Sequence, residues 1–256
     1  MKLLSLTLAL TLLQDPEAAR KESSEAALRW LAKAENALLE APAVRLKVER
    51  KVTMCVAPEV WVRKVHATVL MAKAGRLKMD STESSLEGKS DADAVRTYVR
   101  CDGSNFGVAE GPDPDRPTEK KVRSIPKGFY ENSAAVFIRA GIEVAYIGWP
   151  VATFKDDQLP SSAFAIEKAR VVGETKVDER PAVQLEYEVW CFGKAYRHNL
   201  WIDRETLAPL KRICLETNPF DHARILGYEE TYETVKRDVK LSEGDCALPK
   251  SWTTKP

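Results

Sequence analysis

Residues that carry out chemistry are scarce in this chain. Its 256 residues include three histidines, which stand far apart at His66, His198 and His222. No His-Glu-x-x-His helix and no Gly-x-Ser-x-Gly turn occurs, so the usual signatures of metalloproteases and serine hydrolases are missing. His198 follows Arg197 on a predicted strand, and we interpret it as a surface or packed residue. These absences predict a protein that is not an enzyme and that needs neither a cofactor nor a metal.

Cysteine is also sparse, and its spacing gives no support to a zinc site. The five cysteines form no Cys-x-x-Cys or mixed Cys/His ligand pattern. An odd number leaves at least one thiol unpaired within a monomer, and the sequence leaves open whether the others form disulfides or are buried and reduced. Cys191 and Cys214 are expected on strands separated by a third strand, about 9 to 10 Å apart, which is too far for a direct bond. The five are Cys55, Cys101, Cys191, Cys214 and Cys246.

The chain has no excess of charge of one sign. It contains 39 Lys and Arg against 38 Asp and Glu, which gives a formal net charge of +1. A balance of this kind argues against a broad nucleic-acid-binding surface, and we expect no nucleic-acid partner. Asp113 and Asp115 lie together in a proline-rich stretch, but two carboxylates supply too few oxygens for calcium. They are interpreted as part of a solvated loop.

Long apolar runs are missing except at the start of the chain. Lys2 precedes a run from Leu3 to Leu13, which is too short for a stable transmembrane helix but suits the core of a secretory signal. We predict a signal peptide over residues 1–19, with the mature start between Gln14 and Lys21, and a periplasmic or secreted protein. An uncleaved N-terminal helix is the alternative. No cysteine follows the run, so a lipid-modified N-terminus is not predicted.

The first mature segment changes from a helical to a strand pattern. A helix is predicted from Ser23 or Ser24 to about Leu39, ended by Ala41-Pro42, with apolar residues on one face. Strict alternation follows from Val44 to Val56, which is typical of a long, half-buried strand. Arg50 interrupts the apolar face of that strand. We expect it to reach the rim of the sheet; the alternative is a charge in the lining of a cavity.

A series of antiparallel strands is predicted for the first half of the chain, because the connections are too short for parallel crossovers. The Asp102-Gly103 pair marks a tight turn, and Gly111 to Lys121 is expected to be an irregular exposed loop. The predicted strands are Val60–Met71, Arg76–Asp80, Val95–Cys101 and Phe106–Val108, with a polar hairpin near Leu86 to Ser90.

An apolar insertion separates these strands from a second group. The segment from Ser124 or Pro126 to Pro150 is predicted to be helical and apolar on most sides, with a break at Gly141. Such a helix must be buried or must cover an apolar surface. Five further strands are predicted at about Ala163–Val172, Ala182–Cys191, Lys194–Asp203, Pro209–Thr217 and Arg224–Arg237. Asp203 is expected to shape its turn through bonds to backbone amides rather than to perform chemistry.

Five local sequences resemble the bacterial LolA-like lipoprotein-carrier superfamily over nearly the whole mature chain. They are "ALRWLAKAENALLEAPAVRLKVERKV", "YVRCDGSNFGV", "FYENSAAVFIRAGI", "NLWIDRETLAPLKRICLE" and "VKLSEGDCALPKSW". The resemblance implies an α+β fold in one domain over residues 20–256: a curved antiparallel sheet, an incomplete β-barrel, wrapped around an N-terminal helix and a helical lid. One element departs from the family pattern. Where the carriers have a Lys-Arg-Pro element that helps to hold the lid, the stretch "MAKAGRLKM" has Lys73 and Arg76 but no proline.

The resemblance also implies a function and a set of site residues. We expect a monomeric periplasmic carrier or binder of lipid, lipoprotein or another hydrophobic ligand in an apolar cavity. The alternative is an envelope-sensing or protein-interaction module with envelope proteins as partners. For every candidate lining residue, ordinary core packing is the competing interpretation. The candidates are Leu46, Val48, Val52, Met54, Trp61, Phe129, Val136, Phe137 and Ile138.

Overall fold

Eleven strands form one antiparallel sheet in the part of the chain that the computed structural model describes. That part comprises residues 16–56, 59–73, 75–85, 94–125, 129–142, 164–191, 194–217, 224–237, 239–242 and 244–253. The apolar run from Leu3 to Leu13, the hairpin predicted near Leu86 to Ser90 and the helical segment predicted beyond residue 142 lie outside these residues.

The strands follow the predicted order, and the two halves of the chain meet in the middle of the sheet. Neighbouring strands run in the order β6-β5-β4-β3-β2-β1-β11-β10-β9-β8-β7. The bounds are β1 Ala43–Val56, β2 Glu59–Ala72, β3 Arg76–Ser85, β4 Val95–Asp102, β5 Asn105–Glu110, β6 Glu119–Ser124, β7 Ile166–Val177, β8 Arg180–Cys191, β9 Lys194–Asp203, β10 Pro209–Thr217 and β11 Arg224–Arg237.

The pairing of β1 with β11 joins two meanders into one sheet. Each half of the chain folds back on itself through short connections, and the first strand then pairs with the last along its length, from Val44 opposite Arg237 to Val56 opposite Arg224. One register shift lies between Lys47 and Val48. This order places β6 and β7 at opposite edges of the sheet, so the chain between them links the two edges.

Within the described residues, three helices accompany the sheet: α1 Pro16–Glu40, α2 Phe129–Ala140 and the short α3 Lys250–Thr253. The predicted apolar face of α1 is confirmed, since Ala27, Leu31, Ala34 and Leu38 are all buried. The helix begins before Ser23, however, so this residue does not cap it. Ser23 Oγ instead accepts a hydrogen bond of 3.2 Å from Val171 N–H on the edge strand β7. No helix within the described ranges is long and apolar enough to cross a membrane.

The main core lies between α1, α2 and one face of the sheet, which we call the concave face. Side chains alternate along each strand, so the core takes every second residue of most strands. Leu46, Met79 and Val99 come from the first half of the sheet, and Leu185 and Leu200 come from the second. The predicted α+β class, with a curved antiparallel sheet around an N-terminal helix and a helical insertion, is confirmed.

Several element bounds differ from the sequence prediction, and β7 spans Ile166–Val177 rather than Ala163–Val172. The segment Gly111 to Lys121 was expected to be irregular, but its last residues begin β6, which pairs with β5 from Asn105 opposite Ser124 to Glu110 opposite Glu119. The open edge of β5 offers backbone partners, and this pairing overrides the loop-like local composition. β3 also continues beyond Asp80 to Ser85, because β2 and β4 both pair with it there.

The predicted turns are confirmed by side-chain bonds to the backbone. Asp102 Oδ1 accepts hydrogen bonds from Ser104 N–H at 2.8 Å and Asn105 N–H at 2.7 Å. Asp203 Oδ1 does the same for Glu205 N–H at 2.9 Å and Thr206 N–H at 2.8 Å. Asp203 therefore shapes its turn, as the sequence predicted.

The C-terminal segment packs on the other face of the sheet, which we call the convex face. Trp252 is buried there against Tyr98 and Ala109, and its indole Nε1–H donates a hydrogen bond of 2.7 Å to Pro114 O. Gly107 makes room for the ring: a Cβ at this position would lie 2.6 Å from Trp252 Cε3. A glycine on β5 thus allows the chain end to close over β4 and β5.

We expect Gly107→Ala to lower the free energy of unfolding by about 1 to 3 kcal/mol, because the added methyl group overpacks the Trp252 contact. Gly173→Ala is the matched control, since nothing lies within 4 Å of a Cβ at Gly173. The control should be neutral or slightly stabilising, because alanine restricts the unfolded chain. Urea unfolding of both variants measures the difference, and equal stabilities would contradict the close packing at Gly107.

Candidate functional site

A buried cluster of polar side chains lies on the concave face beneath the end of α2. Its centre is a row of three charged residues that are direct neighbours in the sheet: Arg50 on β1 faces Glu230 on β11, and Glu230 faces Arg212 on β10. All three are at most 5% exposed. We call this group, with Tyr187, Tyr228, Tyr232 and His198, the Arg212 cluster.

The cluster binds the last four carbonyl groups of α2. A helix leaves these groups without partners inside the helix. Arg212 donates to Phe137 O at 2.9 Å, Ile138 O at 2.8 Å and Arg139 O at 3.1 Å. Tyr187 Oη lies within 3.2 Å of the last two of these oxygens, and Tyr228 Oη donates to Ala140 O at 2.6 Å. Side chains of the sheet therefore cap the whole C-terminal end of the helix.

Glu230 occupies the centre of the cluster and accepts from four donors. Its Oε1 atom lies 3.1 Å from Arg50 Nη1 and 3.3 Å from Ile142 N. Its Oε2 atom lies 2.6 Å from Tyr232 Oη and 3.3 Å from Arg212 Nε. A buried carboxylate is tolerated only when its lone pairs are satisfied in this way.

Gly141 ends α2 against this carboxylate. The residue has φ of +89°, which is unfavourable for residues with a side chain, and a Cβ there would lie 2.6 Å from Glu230 Oε2. The break predicted at Gly141 is confirmed. Its position allows the chain to leave the helix and the next amide, Ile142 N–H, to reach Glu230.

The charges of the cluster do not balance among its side chains alone. Two guanidinium groups, those of Arg50 and Arg212, face one carboxylate, that of Glu230. The C-terminal end of a helix carries a partial negative charge of roughly half an elementary charge, concentrated on its free carbonyl groups. Arg212 binds those groups directly, so α2 supplies part of the compensation. The position of the helix and the ionisation of the cluster are thereby coupled.

Arg50 does not reach the rim of the sheet as we expected. Its guanidinium carbon lies 3.8 Å from the centre of the Tyr228 ring, and its Nη1 atom binds Glu230. Arg50 is instead buried on the concave face within the Arg212 cluster, and the alternative, a charge in the lining of a cavity, stays a prediction. In the sequence, Arg50 stands where the alternation of its strand calls for an apolar residue. Arg212 and Glu230 stand at such positions too, but we did not single them out from the sequence.

His198 lies in the same cluster as a neutral residue. Its ring stacks on Tyr187 with centroids 5.2 Å apart, and Arg212 Nη1 approaches Nδ1 at 3.4 Å. An arginine can only donate, so this contact assigns the proton to Nε2, which faces Cys214 Sγ at 3.7 Å. Burial, followed by the charges of Arg212 and Arg50, lowers the pKa of His198 well below its usual value.

Neither His198 nor Cys214 is poised for acid–base or nucleophilic chemistry. Burial raises the pKa of Cys214 to about 12, so its thiol stays protonated. His66 is exposed on the convex side of β2, away from His198, and His222 lies outside the described residues. Within those residues, no group of three potential metal ligands lies together.

The nine predicted lining residues lie in different parts of the structure. Five belong to the main core and are at most 3% exposed, and Val52 is buried in a smaller cluster with Cys214 and Tyr228. Met54 and Trp61 lie nearer the end of the sheet, and the side chain of Phe129 is outside the described residues. The five core residues are Leu46, Val48, Val136, Phe137 and Ile138. The cavity that they were expected to line stays a prediction.

Met54 and Trp61 lie on the concave face beyond the core, on the far side of Arg50 and Arg63, and we call this pair the apolar wall. They are direct partners in the β1–β2 ladder on the concave face, and Trp61 is 48% exposed. A groove of about 430 Å³ lies elsewhere, among polar residues of β1 to β4 that include His66, Asp80 and Arg96. Val48 is the one predicted lining residue that borders this groove, and most of the other residues around it are polar.

Comparisons with known proteins find a likeness in fold. No protein-family model matches the sequence, and no match is found among curated proteins. The lipoprotein LppX of Mycobacterium tuberculosis matches with a TM-score of 0.42 and 12% identity, over 86% of this chain and 100% of that one.

Two further crystal structures show likenesses that are similarly weak or weaker. LprF of Mycobacterium bovis has a TM-score of 0.44 and 12% identity, over 88% of this chain and 99% of that one. A LolA superfamily protein of Nitrosomonas europaea has a TM-score of 0.29 and 9% identity, over 86% and 97% of the two chains. Likenesses of this strength carry no information about function.

Replacing Arg212 by methionine should lower the free energy of unfolding by about 3 to 5 kcal/mol, because it removes one partner of a buried ion pair and leaves carbonyl groups of α2 without donors. Arg170→Met is the control: Arg170 pairs with Glu186 at 2.9 Å, but its side chain is 57% exposed. The control should lose no more than about 1 kcal/mol. Chemical denaturation tests both, and similar small losses would show that Arg212 does not hold α2.

Stability should fall on acidification because His198 is buried uncharged. The folded-state pKa is depressed, so below about pH 6.5 the unfolded chain binds a proton that the folded chain does not, which favours unfolding. Between pH 7.5 and 5.5 the wild type should lose about 1.4 kcal/mol more than His198→Asn. Identical pH profiles for wild type and His198→Asn would disprove this.

Proposed function

We propose that the protein is an exported, non-enzymatic binder of an apolar ligand, such as the acyl chains of a lipid or lipoprotein, held between the concave face and α2. One observation carries the proposal: beyond the core, past Arg50 on β1 and the paired Arg63 on β2, the concave face carries Met54 and the half-exposed Trp61. Exposed apolar surface next to a core is typical of sites that take a ligand.

The energetics of such a ligand require no charged anchor. Each methylene group moved out of water contributes about 0.8 kcal/mol, so one acyl chain supplies enough for reversible binding. The charged side chains nearest the wall are already compensated, since Arg50 binds Glu230 and stacks on Tyr228. The wall therefore suits an uncharged tail rather than an anionic group.

The way in which α2 is held supports its role as a lid. One end of the helix depends on hydrogen bonds from the Arg212 cluster, and Arg139 joins it to Glu35 of α1 at 2.8 Å. Directional bonds of this kind are lost together when a helix shifts, whereas apolar packing weakens gradually. Release of the α2 end would uncover the concave face as a single event.

The wild-type protein should take up a fluorescent fatty acid in solution, and Trp61→Asp should weaken the affinity about tenfold or more, because it places a charge on the apolar wall. Val172→Asp is the control, since Val172 is 46% exposed on β7, away from the wall. Fluorescence titration measures the affinities, and native mass spectrometry of the purified protein detects retained lipid.

Absence of uptake by the wild type, together with absence of retained lipid, would refute the proposed function. Recovery of an envelope protein without lipid would then favour the alternative, a protein-interaction module on the same sheet. Equal affinities of Trp61→Asp and Val172→Asp would show that the ligand lies elsewhere.

A further inference from the structure

Half of the large apolar side chains that are exposed in the described residues gather at one end of the sheet. These are Val60, Trp61, Trp190 and Leu215, which are 53%, 48%, 44% and 47% exposed. We call them the tryptophan rim. Val95, the first residue of β4, is at the same end but set further back, level with Val65 of β2. The other three lie elsewhere on the sheet or on α1: Leu28, Val122 and Val172.

The register shows that the rim residues share one end of their strands. Val60 and Trp61 begin β2, where they face Cys55 and Met54 near the end of β1. Trp190 lies one residue before the end of β8, opposite Ala195, and Ala195 faces Thr217, the last residue of β10. Leu215 lies two residues before Thr217 on β10. All four are within three residues of this end.

The rim occupies both faces of the sheet. Trp61 lies on the concave face, and the alternation of side chains places Val60, Trp190 and Leu215 on the convex face. β2 and β8 are five strand positions apart, so the rim spans about 24 Å at a spacing of ~4.8 Å. A surface that must contact both faces of a sheet end over this width has to be deformable, as a lipid bilayer is.

Charged residues behind the rim are paired. Arg63 lies 2.6 Å from Glu83, Lys64 lies 3.9 Å from Glu49, and Arg197 lies 3.5 Å from Glu188. The four rim side chains are themselves uncharged, and Trp190 Nε1–H donates a hydrogen bond of 3.1 Å to Glu167 Oε2. The contact that these side chains make with a surface is therefore apolar apart from this carboxylate. Tryptophan suits such a surface because its ring is amphipathic and favours the boundary between acyl chains and water.

We propose that the tryptophan rim docks on the surface of a lipid bilayer. Trp61 belongs both to the rim and to the apolar wall of the concave face, so a docked sheet would present that wall directly to the membrane. The passage of an acyl ligand along the wall rests on the proposed function; the docking itself does not. Since the rim is nearly neutral, zwitterionic and anionic membranes should be bound about equally.

Co-sedimentation with phosphatidylcholine vesicles tests the docking. The double variant Trp190→Ser/Leu215→Ser should lower the vesicle partition coefficient about tenfold, because it removes two inserting side chains from the convex face. Leu28→Ser/Val172→Ser is the matched control, with two side chains of similar exposure outside the rim. The control should bind like the wild type, and circular dichroism should show the same fold for all three proteins.

Three results would overturn the proposal. These are equal vesicle binding by the two double variants, binding that appears only with anionic vesicles, and a wild-type dimer in sedimentation velocity that Trp190→Ser/Leu215→Ser dissociates. Fatty-acid uptake in solution separates this proposal from the proposed function, because Trp190 and Leu215 lie away from the wall. Vesicle binding without fatty-acid uptake would support membrane docking by the rim and refute the proposed apolar ligand. Fatty-acid uptake without vesicle binding would support the ligand and refute membrane docking.

Discussion

The bonds from Arg212 to the end of α2 connect the two layers of this protein. A helix end buried against a sheet needs donors for its free carbonyl groups, and an apolar sheet has none to offer. Arg212 provides them, but its own charge then needs Glu230, and Glu230 needs Arg50, Tyr232 and Ile142 N–H as partners. Each charged side chain in the row can be buried because the next side chain in the row pairs with its charge.

This dependence also determines what the cluster does for the fold. Buried ion pairs contribute little net stability compared with apolar packing, but they allow only one arrangement of their partners. α2 could slide along an apolar surface at small cost, whereas the Arg212 cluster accepts its end at one position. The cluster therefore specifies where the helix lies on the concave face and where the chain turns at Gly141.

Local patterns predicted the strands of the second half of the chain and their turns, because alternation and the side chain of Asp203 act within a few residues. They did not predict β6, whose residues pair only because β5 has a free edge. They also missed the row of charges. Arg50 and Glu230 are 180 positions apart in the chain, and only the strand order shows that each faces the other.

The central place of β1 and β11 in the sheet has a consequence for how the chain folds. The strand that pairs with the beginning of the sheet comes from its end, so the middle of the sheet cannot form until nearly all of the chain is available. Contacts of such long range make folding slow, because the closure of a large loop precedes the contacts that stabilise it. The middle of the sheet is therefore among the last parts of the fold to form.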